Sequence, residues 1–272
     1  MICPDLQELP QPADEKNGWP WTQETEKLPA KMPDGLPWPT LTIVTPSYNQ
    51  GRFLEETIRS VLLQGYPNLE YIIIDGGSTD NSVEIIKKYD KWLSGWESRP
   101  DRGQCHALNK GWLQAKPGIW AWLNSDDTYF PGTLAKAISA LKNHPEAKLV
   151  YANAAHIDEN GCHLYYYYGR PLPSGTGRMK FWKGWNMPQP TTFFYSELVE
   201  KYGGLDEDFH LALDYELFIR FSKYERFKYI DETWANTRLH DQAKTGDWNT
   251  NKSRFFKEMR AANKKNARRF KY

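Results

Sequence analysis

Cysteine is scarce: Cys3, Cys105 and Cys162 are the only three in 272 residues, and no two form a CxxC pair. That spacing excludes a disulfide framework and a cysteine zinc site, and it suits a reducing compartment. No stretch approaches the roughly 18 apolar residues needed to cross a bilayer. Met1 to Gln11 holds no charged segment leading into an apolar one, so no signal peptide is expected. The chain therefore reads as cytoplasmic. Charge of one sign is also missing, since 35 Lys and Arg face 34 Asp and Glu for a net +1. Nucleic acid is accordingly not an expected partner. Two phosphate-binding signatures are absent, the Gly-x-x-x-x-Gly-Lys-Ser/Thr loop and a Gly-x-Gly-x-x-Gly after the first strand. A nucleotide here must be held by a carboxylate on the base and a metal on the phosphates.

Aromatic residues are plentiful at 15%, with 12 Trp and 16 Tyr. They fit either an aromatic-rich core or a concave site for sugars or bases. Residues 1–39 carry eight prolines, which fix φ and remove N–H donors, so an extended arm is expected, pinned by Trp19, Trp21 and Trp38. From Thr40 the chain alternates apolar strands with helical stripes. Leu41–Thr45 and Tyr71–Ile74 read as buried strands. Phe53, Leu54, Thr57, Ile58, Val61 and Leu62 read as one face of the helix between them. Further helices are expected near Val83–Tyr89, Gln104–Gln114, Pro131–Asn143 and Tyr215–Lys223, with strands at Ile119–Leu123 and Ala147–Tyr151. The class is α/β with parallel strands and right-handed crossovers. The second half reads as less regular, with Tyr165–Tyr168 and a Gly-rich loop at Ser174–Gly177.

Polar clusters follow three of the expected strands: Ser47–Gln50, Asp75–Asp80 and Asn124–Asp127. Ligands of open α/β sheets bind beyond the carboxyl ends of the strands, so the three clusters converge on one crevice. Asp126 and Asp127 are adjacent carboxylates that repel each other unless compensated. A hard divalent cation, Mn²⁺ or Mg²⁺, resolves the conflict and would bridge a diphosphate. The competing reading of Asp127 is a helix N-cap.

Thr42–Asn49, Ile74–Asp80 and Asn124–Asp127, in this order and spacing, resemble glycosyltransferase family 2, and the resemblance runs from about Leu41 to His240. It implies the GT-A fold, a Rossmann-like, mostly parallel sheet flanked by helices with a smaller acceptor-side region. It also implies inverting transfer from a nucleotide-diphosphate sugar, usually a UDP-sugar, in polysaccharide, glycolipid or cell-surface glycan synthesis. By position, Pro46, Ser47, Tyr48 and Asn49 would line the nucleoside pocket. Asp75 would read the base, Asp101 would be the second nucleotide-site acid, and Arg102 or Lys110 would face phosphate. Ser125-Asp126-Asp127 matches the DxD motif with Ser in its first place; Asp127 would bind the metal and Asp126 would lie nearer the ribose. Asp214 sits where the family's base sits, with Glu216 in reserve. His240 would reach metal or diphosphate, and Lys244 would help neutralise the diphosphate. Trp182, Trp185, Met187, Gln189 and Thr191 fall on the acceptor side, where packing is the competing role.

The resulting division is an arm at 1–39, a transferase domain at 40–250 with halves meeting near 130, and a basic tail at 251–272. From Lys252 the tail carries nine cations against one acid, Glu258. It reads as a solvated helix or as a peripheral contact with the inner face of a membrane. The acceptor would be a glycan, a lipid-linked sugar or another hydroxyl compound. The rival functions are a sugar nucleotidyltransferase and a non-catalytic nucleotide-sugar-binding module. Asp214→Asn separates the module from an enzyme, because only an enzyme loses turnover.

Overall fold

The computed structural model describes residues 3–13, 15–172, 187–244 and 248–267. Four parallel strands form the first half: β1 (Leu41–Ser47), β2 (Leu69–Asp75), β3 (Gly95–Ser98) and β4 (Ile119–Trp122). Between them run α1 (Gly51–Leu62), α2 (Ser82–Lys88) and α3 (Gln104–Gln114). After β4 come β5 (Thr128–Tyr129), α4 (Thr133–Asn143), β6 (Ala147–Ile157), β7 (His163–Tyr167), β8 (Phe193–Tyr195), α5 (Glu197–Tyr202), α6 (Leu213–Ser222), β9 (Arg226–Arg238) and α7 (Trp248–Ala267). The sheet order is β3-β2-β1-β4-β8-β6-β9-β5, with β7 paired on β6. The second half mixes directions: β8 is antiparallel to both β4 and β6, whereas β6 and β9 run parallel.

Alternation along the strands divides the core in two. Leu41, Ile43, Tyr71, Ile73, Ile119 and Ala121 face α1, α2 and α4. Val44, Ile72, Ile74, Trp120 and Trp122 face α3, α5, α6 and α7. Helix α3 seats closely on β1 at Gly111, where a Cβ would lie 2.4 Å from Val44 Cγ1. Much of the aromatic content is spent on this second core. Trp112 and Trp120 stack at 5.9 Å, and Trp122 stacks on Phe218 at 5.7 Å. The high Trp count is therefore largely a packing feature.

The arm is ordered on the first face. Arg59 of α1 is fully buried and reaches out to it, donating to the carbonyls of Pro20 (3.0 Å), Pro10 (2.9 Å) and Trp21 (2.9 Å). Trp19 Nε1 donates to Tyr129 O at 2.7 Å, and Trp38 Nε1 to Pro29 O at 2.8 Å. A chain poor in regular structure thus meets its hydrogen-bonding needs by lending carbonyls to a buried guanidinium.

Two elements differ from the sequence expectation. The Tyr-rich stretch expected to be irregular is strand β7, and β6 runs on to Ile157 beside β9. The basic tail expected from residue 251 falls within a helix. Helix α7 starts at Trp248 and packs Met259 and Ala262 into the second core. Among the described residues no helix is long and apolar enough to cross a membrane.

Candidate active site

The tips of β1, β2 and β3 lie level, with Ser47 opposite Asp75 and Asp75 opposite Ser98. Asp75 is fully buried. Its Oδ2 accepts from Gly77 N (3.1 Å), Ser78 N (2.8 Å) and Ser98 Oγ (2.7 Å), and its Oδ1 accepts from Ser78 Oγ at 2.5 Å. Both oxygens thus shape the loop. Asn49 is also structural. In a left-handed conformation (φ 52°) it receives Thr79 N on Oδ1 at 2.8 Å, and its own N–H goes to Ser78 Oγ at 2.8 Å.

The space these loops enclose borders Gly76. A Cβ there would come 3.2 Å from Asp101 Oδ2 and 3.3 Å from Tyr48 Cδ2. Tyr48 is 60% exposed, an unusual position for a large ring. Ser47 Oγ and Gln50 Oε1, by contrast, are buried without a hydrogen-bond partner among the described residues. Buried oxygens ordinarily find partners, so these two orphans next to an exposed ring single out the loop after β1. Neither cation expected to face phosphate is free for it: Arg102 grips Glu207 at 2.8 Å, and Lys110 pairs with Glu97.

Beyond β4 the turn at 124–127 folds Asp127 inward. Its Oδ1 accepts from Arg238 N at 3.0 Å and its Oδ2 from Asn124 Nδ2 at 3.2 Å. Burial, then the charge of Asp126, pushes its carboxyl well above the usual range. Asp126 is the acid that reaches the surface, with its side chain 17% exposed and its Oδ2 3.0 Å from His240 Nε2. His240 sits against Phe53, ring centroids 4.7 Å apart. Arg238, buried at 2%, supports the whole turn. It donates Nε to Asp126 O at 3.0 Å and pairs with Glu56 at 2.9 Å.

Asp214 opens α6, half-buried, with Oδ1 accepting Tyr215 N at 2.8 Å. Burial raises its carboxyl to about 6, against smaller lowering effects from backbone N–H groups and Lys244. Glu216, the reserve base, is consumed: Arg220 holds both oxygens, at 3.1 and 2.7 Å, and Asn266 donates to one at 3.1 Å.

A relay of side chains joins the acidic turn to the loop before Asp214. Lys244 Nζ donates to His210 O (3.1 Å) and Gln104 Oε1 (2.7 Å), and Gln104 Nε2 donates to Asn124 Oδ1 at 2.7 Å. Asn124 in turn meets Asp127 and, at 3.4 Å, Gln189 Oε1. Gln189 also donates to Trp122 O at 3.0 Å, so it lies beside the acidic turn. Of the remaining acceptor-side residues, Met187 is buried in the second core and Thr191 bonds the backbone of Ala152. Trp182 and Trp185 lie outside the described residues. Sequence reasoning missed Arg238, Gln104 and Glu258. The signal for Arg238 was an arginine two residues before the singled-out His240; Gln104 gave none.

Loops after β1 and β2, a largely buried acid–imidazole pair and an elevated carboxyl gather at one end of a mostly parallel sheet, an architecture of the GT-A class. The sequence model of glycosyl transferase family 2 matches residues 42–203, more than half of the chain. An uncharacterized glycosyltransferase of Mycobacterium tuberculosis (strain ATCC 25618 / H37Rv) is 32% identical over 189 residues, 67% of this chain and 68% of that one. Another, from Rickettsia typhi, is 27% identical over 217 residues, 76% of this chain and 66% of that one. The chain belongs to glycosyltransferase family 2, and its chemistry is glycosyl transfer. Among solved structures, S. aureus TarS 1–349 in complex with UDP-GlcNAc superposes with a TM-score of 0.63 at 18% identity, covering 76% of this chain and 61% of TarS 1–349. The mannosyltransferase PcManGT from Pyrobaculum calidifontis, in complex with GDP-Man and Mn²⁺, gives 0.56 at 20%, covering 75% and 58%. At such identities the likeness is one of fold. This chain spans about 60% of each of these two structures.

Proposed function

We propose that this chain is an inverting, metal-assisted glycosyltransferase in which Asp214 is the base. The observation that carries the reading is the relay from Asn124 through Gln104 and Lys244 to the Asp214 loop, which ties donor side and base into one rim. Tyr48 and Asp101 would flank the base across Gly76, with Ser47 supplying the orphaned hydroxyl. Pro46, Asn49 and Asp75 would hold the loops that shape this pocket. Asp126 and His240 are the groups suited to hold Mn²⁺ or Mg²⁺, and Asp127 adds charge behind them. Oxygen and imidazole donors fit such a cation. Among the described residues no cluster of three or more acidic, His or Cys side chains forms a site alone, so water and diphosphate oxygens would complete it. When bound, the cation would neutralise charge on the departing diphosphate.

Asp214 would take the acceptor hydroxyl's proton as that oxygen attacks the anomeric carbon and the bond to diphosphate breaks. Lys244 would balance charge on the leaving group. The acceptor would be a hydroxyl of a glycan or lipid-linked sugar, with Gln189 facing it. A membrane-proximal acceptor is favoured by α7, which exposes Lys252, Lys257, Arg260 and Lys264.

The test is a thermal-shift panel of UDP-, GDP- and dTDP-sugars with and without Mn²⁺. One donor should stabilise the protein in a Mn²⁺-dependent way, by about 2.7 kcal/mol at a hundredfold excess over Kd. Gly76→Ala, whose Cβ would press on Asp101 Oδ2 at 3.2 Å and Tyr48 Cδ2 at 3.3 Å, should weaken that shift more than it lowers the melt without ligand. No shift with any donor would overturn the reading.

A further inference from the structure

Helix α7 lies beyond the stretch that the family model matches, and Glu258 is the one acid in its cation-rich run. Glu258 Oε2 accepts from three consecutive backbone N–H groups: His210 (3.0 Å), Leu211 (2.7 Å) and Ala212 (3.0 Å). Its other oxygen receives Arg254 Nε at 3.2 Å. Ala212 is the N-cap of α6 and has no side chain able to cap. A helix start leaves its first amides unpaired and gathers partial positive charge there. Glu258 takes the N-cap's own amide and the two before it, so a carboxylate from a distant helix ties down the segment entering α6 and sits at its positive end. Burial alone would push the Glu258 carboxyl up, but the three amides and Arg254 outweigh it and hold it below the usual range. It is therefore an anion at neutral pH. The same loop is held by Cys105 Sγ on Phe209 O (3.1 Å) and by Lys244 on His210 O (3.1 Å), and neither contact touches its N–H groups.

We propose that Glu258 is a positioning residue for Asp214: α7 clamps the segment that leads into α6, and so fixes the direction and the surroundings of the base. This rests on Asp214 being the base. The clamp acts two residues before Asp214, so loosening it swings the carboxylate away from the acceptor oxygen and lets water reach it. Misplacing a reacting group by about 1 Å costs on the order of 100-fold in rate.

The experiment compares Glu258→Ala and Glu258→Gln with the wild type and Asp214→Asn, following nucleoside diphosphate release from the stabilising donor between pH 4.5 and 8.5. Glu258→Ala should lower kcat by on the order of 10- to 100-fold, with donor KM within about twofold, and move the acid limb of kcat to lower pH. Glu258→Gln keeps an accepting oxygen and should recover most of kcat. It grips the three amides more weakly than a carboxylate does, so its acid limb should also move down, by less than in the Ala variant. Should the Ala variant fail to fold, the Gln variant decides through its limb. An unmoved limb in the variants that fold overturns the proposal, as does loss of donor stabilisation in parallel with kcat, the mark of a merely structural strut. Retained turnover in Asp214→Asn would instead refute the base assignment and leave the geometry of the clamp untouched.

Discussion

Replacing Asp214 by Asn should move stability and turnover in opposite directions. The Asp214 carboxyl is held at about 6, against an ordinary 3.8, because burial strips water from its charge. That gap of about two pH units, at 1.36 kcal/mol each, means that the folded chain carries the ionised group at a cost of about 3 kcal/mol. The folded value lies above the unfolded one, which sets the sign. Below 3.8 the group is protonated in both states and costs nothing; the cost grows as pH rises towards 6 and is complete above it. Asn keeps the shape and removes the charge. Asp214→Asn should therefore be more stable than the wild type at pH 8, by up to about 3 kcal/mol, worth several degrees of Tm in a chain of this size. The gain should fade towards zero near pH 4. Turnover should drop by about 10²- to 10⁴-fold, the usual contribution of a general base, with donor affinity unchanged. In the wild type, turnover should rise through pH 6 as one proton leaves. Urea unfolding at pH 4, 6 and 8, alongside nucleoside diphosphate release, measures both quantities. A less stable Asn variant at pH 8, or an acid limb near 4, would refute the reasoning.

The exposed acid and the imidazole should govern the metal. Asp126→Ala and His240→Ala should each weaken Mn²⁺ affinity, read from the Mn²⁺ dependence of donor stabilisation, by about 10- to 100-fold. Asp127→Asn should lose less, because its oxygens already serve Arg238 N and Asn124; an equal or greater loss there would return the metal to Asp127. At the far side of the fold, Arg59→Met strands the carbonyls of Pro10, Pro20 and Trp21. It should cost about 3–5 kcal/mol in urea unfolding and open residues 10–21 to protease, and an unchanged cleavage pattern would count against the anchor.

The first half was legible because its information is local. Leu41–Ser47 and Leu69–Asp75 are β-branched runs that end in polar turns, and α1 carries its apolar stripe in sequence. A strand that is buried on both faces and closed by a turn needs little from elsewhere to be recognised. The second half resisted for the opposite reason. β9 alternates polar and apolar residues over a length broken by register shifts, and its parallel partner β6 begins 79 residues earlier, so no local pattern announces the pair. The same distinction runs through the site. Asp214, Asp126 and His240 stand beside recognisable elements, and residue type with position singled them out as candidates. Their roles depend on what packs behind: Asp127 turned inward by Arg238, Asp75 drawn into its own loop, and Glu258 reaching the base from a helix whose composition suggested only solvent or membrane. A carboxylate's identity can be read along the chain, but its availability depends on which backbone N–H groups have already claimed its oxygens. Here those amides come from segments as far as 111 residues away, as between Asp127 and Arg238.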